Sequence, residues 1–325
     1  MSNDLVISDN KEVLVSVVCN AFNHEKYIRD ALEGFIKQKT NFGFEVLVHD
    51  DASTDKTPEI IKEYAEKYPD IIKPIYQTVN QYSQKISISA TFQYPRAKGK
   101  YIAICEGDDY WTDEMKLQKQ FDALEAHPEV DMCTHGALMI NDRTGKIKQN
   151  ISPKDFDTII PMEEVILGGG GFVATNSHFF RKDILKNQPK FRKALAFDYT
   201  MQMYGAMRGG MLYLKDTMSV YRSLTSGSWT VRNVGKFKAI AEKIENALLI
   251  LDEETNGKYH EVIEERILMD KLIVFREQGN YREIFKPEYK KLLKKEKFIN
   301  KFKIYLHVYC PYIIKLIKRV KSFKG

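Results

Sequence analysis

The chain is sparing with residues that cross-link, break or anchor a fold. It has four cysteines, ten prolines and two tryptophans among 325 residues. Cys19, Cys105, Cys133 and Cys310 lie far apart and form no C-x-x-C pair. That favours a reduced, cytoplasmic setting over a disulfide framework. Cys19 and Cys105 stand at the ends of apolar runs, where free cysteines act as small hydrophobes. No stretch reaches about 18 uninterrupted apolar residues, the length a membrane-spanning helix needs. The opening "MSNDLVISDNKE" lacks an apolar core of the secretory type, so no signal peptide is expected. There is no low-complexity tract, no internal repeat and no stretch that reads as a disordered linker. What remains is ordinary globular material, 43% apolar and 29% charged. The length suits one large α/β domain, or a domain of about 220 to 250 residues with an appendage.

Charge is unevenly spread. The whole chain carries +6, but Lys286 to Gly325 holds 13 Lys/Arg against 2 Glu, a local +11. The remaining residues are therefore at −5, and the basic character belongs to the C-terminal segment.

The first 135 residues alternate two periodicities. "VLVSVVCN" (13–20) is a β-branched strand pattern, and "EKYIRDALEGFIKQK" (25–39) spaces Ile28, Leu32, Phe35 and Ile36 as a helix does. "FEVLVHD" (44–50) is the next strand. "TPEIIKEYAEKY" (57–68) is the next helix, with Thr57 as N-cap and Pro58 at the first helical position. The rhythm continues through 71–76, 87–98 and 100–105, a helix over 113–127 and a strand over 130–140. This alternation predicts a largely parallel, doubly wound sheet, whose ligands bind outside the carboxyl ends of the strands. Beyond 140 the pattern changes. A hairpin turn is expected at 141–146, a glycine loop at 168–171, a helix at 198–210, two short strands within 211–222 and a loop at 223–230. From 233 onward the pattern is helical, so the expected domains are 1–230 and a helical region 231–325.

Three predicted strand ends carry polar groups: "CNAFNHEKY" (19–27), "VHDDASTD" (48–55) and "CEGDDYW" (105–111). A parallel sheet would bring all three to one edge. "DDASTDKTP" reads equally as a loop and helix cap, since Asp and Ser cap helices without any ligand. "EGDD" is harder to explain as a solvated turn, because Glu106, Asp108 and Asp109 repel one another unless something positive compensates. A divalent cation does so, and carboxylate oxygens suit Mg²⁺ or Mn²⁺. Mg²⁺ uses one or two protein carboxylates and completes its shell with water and substrate phosphates, so a partial acidic shell fits a phosphate-bearing substrate.

The stretches "VSVVCNAFNHEKYIRDALEGFIKQ", "FEVLVHDDASTDKT", "GKYIAICEGDDYW" and "FDYTMQMYGAMRG" occur in the order and spacing of the bacterial family 2 glycosyltransferases. The resemblance covers about residues 12 to 230. It implies the GT-A fold, a mostly parallel central sheet flanked by helices, here with a C-terminal helical appendage. It further implies an inverting enzyme that uses nucleotide-diphosphate sugars, UDP-sugars first, with Mg²⁺ or Mn²⁺. By position, Asn20 and Phe22 fall where the family lines the nucleobase, and Asp51, with Asp50 beside it, on the acid that receives the base's N–H. Glu106 replaces the usual first Asp of the DXD element. Asp108 falls on the metal ligand, and Asp109 orients it or meets the donor sugar. Asp198 falls on the catalytic base, with Phe197 in place of a neighbouring Glu; as a bare sequence feature it also reads as a helix cap. Leu224 stands where the family often has a His, leaving Arg222, Ser226, Ser228 or Trp229 as substitutes. His178 reads as a packed strand histidine or an acceptor contact.

The segment from Lys290 onward mixes Lys clusters with Phe, Tyr, Ile and Leu. It suits either an anionic membrane surface or a solvated basic helix packed on a core. No nucleic-acid recognition module accompanies it. The leading expectation is a sugar transferase acting in surface-polysaccharide or glycolipid assembly, on a glycan or lipid-linked glycan acceptor. It would be cytoplasmic or peripheral at the inner face of the plasma membrane. A metal-dependent nucleotidyltransferase and a nucleotide-sugar-binding pseudoenzyme are the alternatives.

Overall fold

The computed structural model describes residues 11–225, 229–233, 235–296 and 298–310. Contacts divide the chain into two units, Met1–Arg232 and Asn233–Gly325.

The first unit begins with the alternating elements β1 (Val13–Ala21), α1 (Ile28–Ile36), β2 (Gly43–Asp50), α2 (Thr57–Lys67), β3 (Ile72–Tyr76) and β4 (Tyr101–Ile104). It continues with β5 (Tyr110–Trp111), α3 (Lys116–Ala126), β6 (Met132–Asn141), β7 (Ile147–Ile151), β8 (Thr158–Ile160), α4 (Met162–Gly168), β9 (Phe179–Arg181), α5 (Lys190–Ala194), α6 (Asp198–Ala206), β10 (Met211–Ser223) and α7 (Trp229–Arg232). The sheet runs β3-β2-β1-β4-β9-β6-β10-β5, with β7 on β6 and β8 on β10. Strands β3, β2, β1 and β4 are mutually parallel, as are β6 and β10. The short β9 is antiparallel to both β4 and β6 and joins the two parallel sets.

Burial explains the strand composition. Val15, Val17, Val18 and Cys19 of β1 are buried, as are Val46, Leu47 and Val48 of β2. A parallel strand covered on both faces needs such a continuous apolar run. β3 contains Pro74, which cannot donate to a ladder, and it lies at the sheet edge where no ladder partner is lost. Helix α1 lays Ile28, Ala31, Leu32 and Phe35 on the core. Its Gly34 is required by close approach: a Cβ there would stand 2.9 Å from the Trp111 carbonyl oxygen.

Three local expectations are corrected. The stretch 211–222 is not two short strands but one strand, β10. Its register against β6 shifts between Leu214 and Thr217, and again before Ser219. The exposed Lys215 and Asp216 bulge over Gly136, and that interruption of the apolar pattern reads as a break. Thr57 is the first residue of α2 rather than its cap. Asp55 Oδ1 accepts from both the Thr57 backbone N–H and its hydroxyl. Segment 87–98 is not a regular helix but a π turn (Ser89–Gln93) followed by a 3₁₀ turn (Tyr94–Arg96).

The second unit comprises α8 (Phe237–Glu254), α9 (His260–Gln278), α10 (Lys290–Lys295) and α11 (Phe298–Tyr309). Leu272, Ile284, Tyr289, Leu292 and Ile304 form its small core. Among the described residues no helix is long and apolar enough to cross a membrane.

Candidate active site

The parallel register brings the three polar strand ends together. Ala21 stands beside Asp50, and Val18 beside Ile104. The loops they lead into are hydrogen-bonded to each other. The Asp51 N–H donates to the Ala21 carbonyl at 2.9 Å, and the Gly107 N–H to the Asn20 carbonyl at 2.9 Å. Asn20 Nδ2 donates to Ser89 Oγ at 3.0 Å and to Glu106 Oε1 at 3.4 Å. Gly107 has little alternative, since a Cβ would come within 2.9 Å of His24 Nδ1.

The acids of the second loop divide their labour. Asp55 accepts from Thr57 and from the Glu25 N–H, so it braces two loops. Ser53 Oγ accepts from the Asn23 N–H, and Asn23 Oδ1 from the Thr54 N–H. Asp51 is buried, and its oxygens accept from the backbone N–H groups of Gln81 at 2.7 Å and Tyr82 at 3.0 Å. Asp50 is different. Its Oδ2 accepts from the Ser53 N–H, but its buried Oδ1 has no partner among the described residues. Desolvation raises the Asp50 carboxyl above its usual range. Phe22 lies beside these acids with 39% of its surface exposed, leaving its ring available for stacking.

The third loop places its acids in different surroundings. Desolvation first, then the nearby Asp108 and Asp198, push Glu106 up to about 8. Asp109 is buried and faces inward. Its Oδ1 accepts from the Arg222 N–H at 2.8 Å and its Oδ2 from Asn176 Nδ2 at 3.2 Å. Burial, then Asp108, raise its pKa well above the usual carboxylate range. Asp108 is half-buried and accepts from Thr225 Oγ1 at 2.8 Å through Oδ2. Arg222 Nη1 donates to the Asp108 carbonyl at 3.0 Å, and its guanidinium pairs with Asp30. The end of β10 therefore closes over the acidic loop.

Asp198 is the first residue of α6, behind Phe197 at the N-cap position. It is exposed, and its Oδ2 accepts from Thr175 Oγ1 at 2.8 Å. The carboxylate lies close enough to the acidic loop to raise Glu106. The Tyr94 hydroxyl, pushed up to about 12 mainly by desolvation, has Arg192, Asp198 and Glu106 as charged neighbours. His178 is fully buried, both ring nitrogens have no partner among the described residues, and burial pushes it down to about 4. Its carbonyl accepts from the Ile104 N–H, which makes it a packed residue behind the cleft.

Thr225, Thr175 and Asn176 carry contacts that no motif announced. Of the substitutes considered for the histidine, Arg222 reaches the acidic loop, Trp229 begins α7, and Ser226 and Ser228 lie outside the described residues.

The donor set suits a divalent cation only in part. Among the described residues no three His, Cys, Asp or Glu side chains are grouped to hold a metal. Glu106, Asp108 and Asp198 nevertheless lie close together, and the latter two raise the Glu106 carboxyl. One carboxylate oxygen of Asp108, Oδ1, has no hydrogen-bond partner among those residues. That fits an ion completed by substrate phosphates better than an all-protein cage.

The model of the family described as "Glycosyl transferase family 2" matches residues 16–188. The chain belongs to this family. An uncharacterised Mycobacterium tuberculosis protein, Rv1520, is 37% identical over 221 residues, 66% of this chain and 60% of that protein. The chain thus spans about 60% of the length of that curated relative. The Bacillus subtilis minor teichoic acid biosynthesis protein GgaB is 31% identical over 180 residues, covering 53% of this chain and 18% of GgaB. Among solved structures, S. aureus TarS 1-349 in complex with UDP-GlcNAc superposes with a TM-score of 0.58 at 17% identity. That match covers 89% of this chain and 78% of the other. The fold is of the GT-A type.

A cleft of about 460 Å³ lined by Leu14, Lys98, Tyr101 and Arg181 lies at the amino ends of β1 and β4. It is at the opposite end of the strands from the carboxylates and has no part in this site.

Proposed function

We propose that this family member transfers a sugar, with inversion at the anomeric carbon, from a nucleotide-diphosphate sugar to a hydroxyl of a glycan or lipid-linked glycan. The observation that carries this reading is the grouping of Asn20, Asp50, Glu106 and Asp108 on loops at the carboxyl ends of parallel strands, with Asp198 near enough to act on the Glu106 carboxyl. UDP is the favoured nucleotide, on the strength of the UDP-GlcNAc held by TarS. GgaB's role in teichoic acid synthesis supports a surface-polymer acceptor.

In this mechanism Phe22 stacks on the nucleobase, and an acid of the Asp50–Asp51 pair receives its N–H. Asp50 Oδ1, buried without a partner among the described residues, has the open acceptor position. Asp198 takes the proton of the acceptor hydroxyl as its oxygen attacks the anomeric carbon from the face opposite the diphosphate. The anomeric carbon–oxygen bond breaks and the nucleoside diphosphate departs with the electron pair. As an exposed carboxylate held by one hydroxyl, Asp198 is free to reach such a proton. Asp108 would hold Mg²⁺ or Mn²⁺, which when bound supplies charge neutralisation to the leaving diphosphate. Glu106 faces Asn20 and the donor side, and Asp109 holds the loop from within. The acceptor class and the basic C-terminal segment support a place of action at the cytoplasmic face of the membrane.

The test is a screen for UDP, GDP or dTDP release from nucleotide sugars with Mn²⁺ or Mg²⁺ and acceptor extracts. Asp198→Asn should retain donor binding while turnover falls by about 10²- to 10⁴-fold, the usual worth of a positioned base. Asp108→Ala should weaken both. An Asp198→Asn enzyme as active as the parent, or a product of retained configuration, would remove the mechanism.

A further inference from the structure

The second unit carries a surface that sugar transfer does not use. In α11 the side chains of Phe298, Phe302, Tyr305 and Tyr309 recur at spacings of four, three and four residues, which puts them on one stripe of the helix. Their exposures are 81%, 55%, 49% and 68%, and Ile299 beside them is 66% exposed. The opposite face buries Ile304 in the small core of the unit. Ring contacts order the C-terminal half of the stripe, with Phe285 from outside the helix among them. Tyr305 stacks on Tyr309 with centroids 5.9 Å apart, and Phe285 meets Tyr305 edge-on at 5.1 Å.

Composition and charge say what such a stripe fits. Its four members are Phe and Tyr, and aromatic rings, above all those with a polar tip, are the side chains that settle at the headgroup level of a bilayer. Helix α11 contains no acid. Of the lysines around it, Lys291 and Lys295 pair with Glu265. Lys290, Lys294 and Lys303 have no carboxylate partner among the described residues. The residues that follow, 311–325, add five Lys/Arg and no acid. Clustered lysines beside an amphipathic aromatic face are the complement of an anionic lipid surface.

We propose that the α11 stripe is a docking face for an anionic bilayer. Phe298, Phe302, Tyr305 and Tyr309 enter the headgroup region, and the surrounding lysines hold the negatively charged lipids. Docking would bring the unit to the surface at which lipid-linked acceptors lie, but it does not depend on the transferase reading. Either can fail alone, because vesicle binding is measured without a sugar donor.

The test uses the full chain and vesicles of phosphatidylcholine, with or without about 30% phosphatidylglycerol, a composition that sets the surface charge. Co-sedimentation should require the anionic lipid and should weaken as salt rises. Phe298→Ser/Phe302→Ser should bind at least ~10-fold less, because the rings supply the inserted apolar surface. Both rings are exposed, so an unchanged melting temperature will show that the fold is intact. Phe302→Trp should shift its emission to the blue only when anionic vesicles are added, against the constant background of Trp111 and Trp229. Equal binding by the double serine variant would overturn the proposal, since the lysines alone would then explain attraction. So would a blue-shifted Phe302→Trp without lipid, reversed by dilution to monomer or by removing residues 311–325. Those results would assign the stripe to a second copy or to the following segment of this chain.

Discussion

Lys116 offers a direct check on the packing behind the acidic loop. It is fully buried, its Nζ donates to Gln120 Oε1 at 2.7 Å, and it stands 3.9 Å from the centroid of the Trp111 ring. Desolvation dominates, and pushes its pKa from 10.5 down to about 7. At roughly 1.4 kcal/mol per pH unit this corresponds to about 5 kcal/mol against the charged form in the fold. Below pH 7 the ammonium is charged whether the chain is folded or not, and the whole penalty is present. Between about 7 and 10.5 the unfolded chain holds a proton that the folded one has released, so stability rises with pH. Above that range the residue is neutral in both states and the profile is flat. Lys116→Met keeps the length and removes the charge, but it leaves Gln120 Oε1 without its donor, a loss of about 1–3 kcal/mol. At pH 6 the variant should therefore be more stable than the parent by a few kcal/mol, and at pH 10, where about 1 kcal/mol of the penalty remains, less stable by up to about 2 kcal/mol. Urea unfolding followed by tryptophan fluorescence from pH 6 to 10 measures the crossover, because Trp111 lies against the altered side chain. A difference between the two proteins that stays constant across that range would refute the reasoning.

Two further substitutions probe how the loop is held. Gly34→Ala places a methyl 2.9 Å from the Trp111 carbonyl oxygen and 3.1 Å from its nitrogen. It should destabilise the first unit by about 1–3 kcal/mol in urea unfolding, as overpacking against rigid backbone does; an unchanged midpoint would show that the loop yields freely. Thr225→Val removes the hydroxyl that donates to Asp108, whereas Thr225→Ser keeps it. Nucleotide-sugar turnover should fall about tenfold in the valine variant, the worth of roughly 1.4 kcal/mol, and stay near the parent's in the serine variant. Equal rates would show that Asp108 needs no such support.

The alternating half of the first unit was legible because it rests on short-range rules. β-Branched runs such as "VLVSVVCN" read as strands buried on both faces, and helical spacing of Ile28, Leu32 and Phe35 marks which side of α1 meets them. Once the strands are parallel, convergence of their carboxyl ends follows, and with it the meeting of Asn20 and Glu106. The division of roles among the acids was not legible, because it depends on donors distant in sequence. Asp51 is satisfied by the amides of Gln81 and Tyr82, Asp109 by Asn176 and the amide of Arg222, and Asp55 by residues of two loops. Six acids that look alike as letters thus divide into Asp51, Asp55 and Asp109, whose two oxygens are both spent on structure, and Asp50, Glu106 and Asp108, each with one oxygen unpartnered among the described residues.

The loop after β10 shows how a strained residue is held between two anchored neighbours. Leu224, where the family often has a histidine, lies in the left-handed region at φ 67°, a conformation that disfavours a side chain with a Cβ. Such strain persists only where surrounding contacts over-determine it. Here the contacts stand on either side. The Ser223 hydroxyl donates to the Ile140 carbonyl, its carbonyl accepts from the Asp142 N–H, and the Thr225 hydroxyl reaches Asp108. The chain is held to the sheet before the strained residue and to the acidic loop after it, so the reversal at Leu224 is what lets Thr225 arrive. The residue after Leu224 thus supplies a hydroxyl to Asp108. Thr225 and Arg222 therefore hold Asp108 from two sides, the hydroxyl at the carboxylate and the guanidinium at the carbonyl.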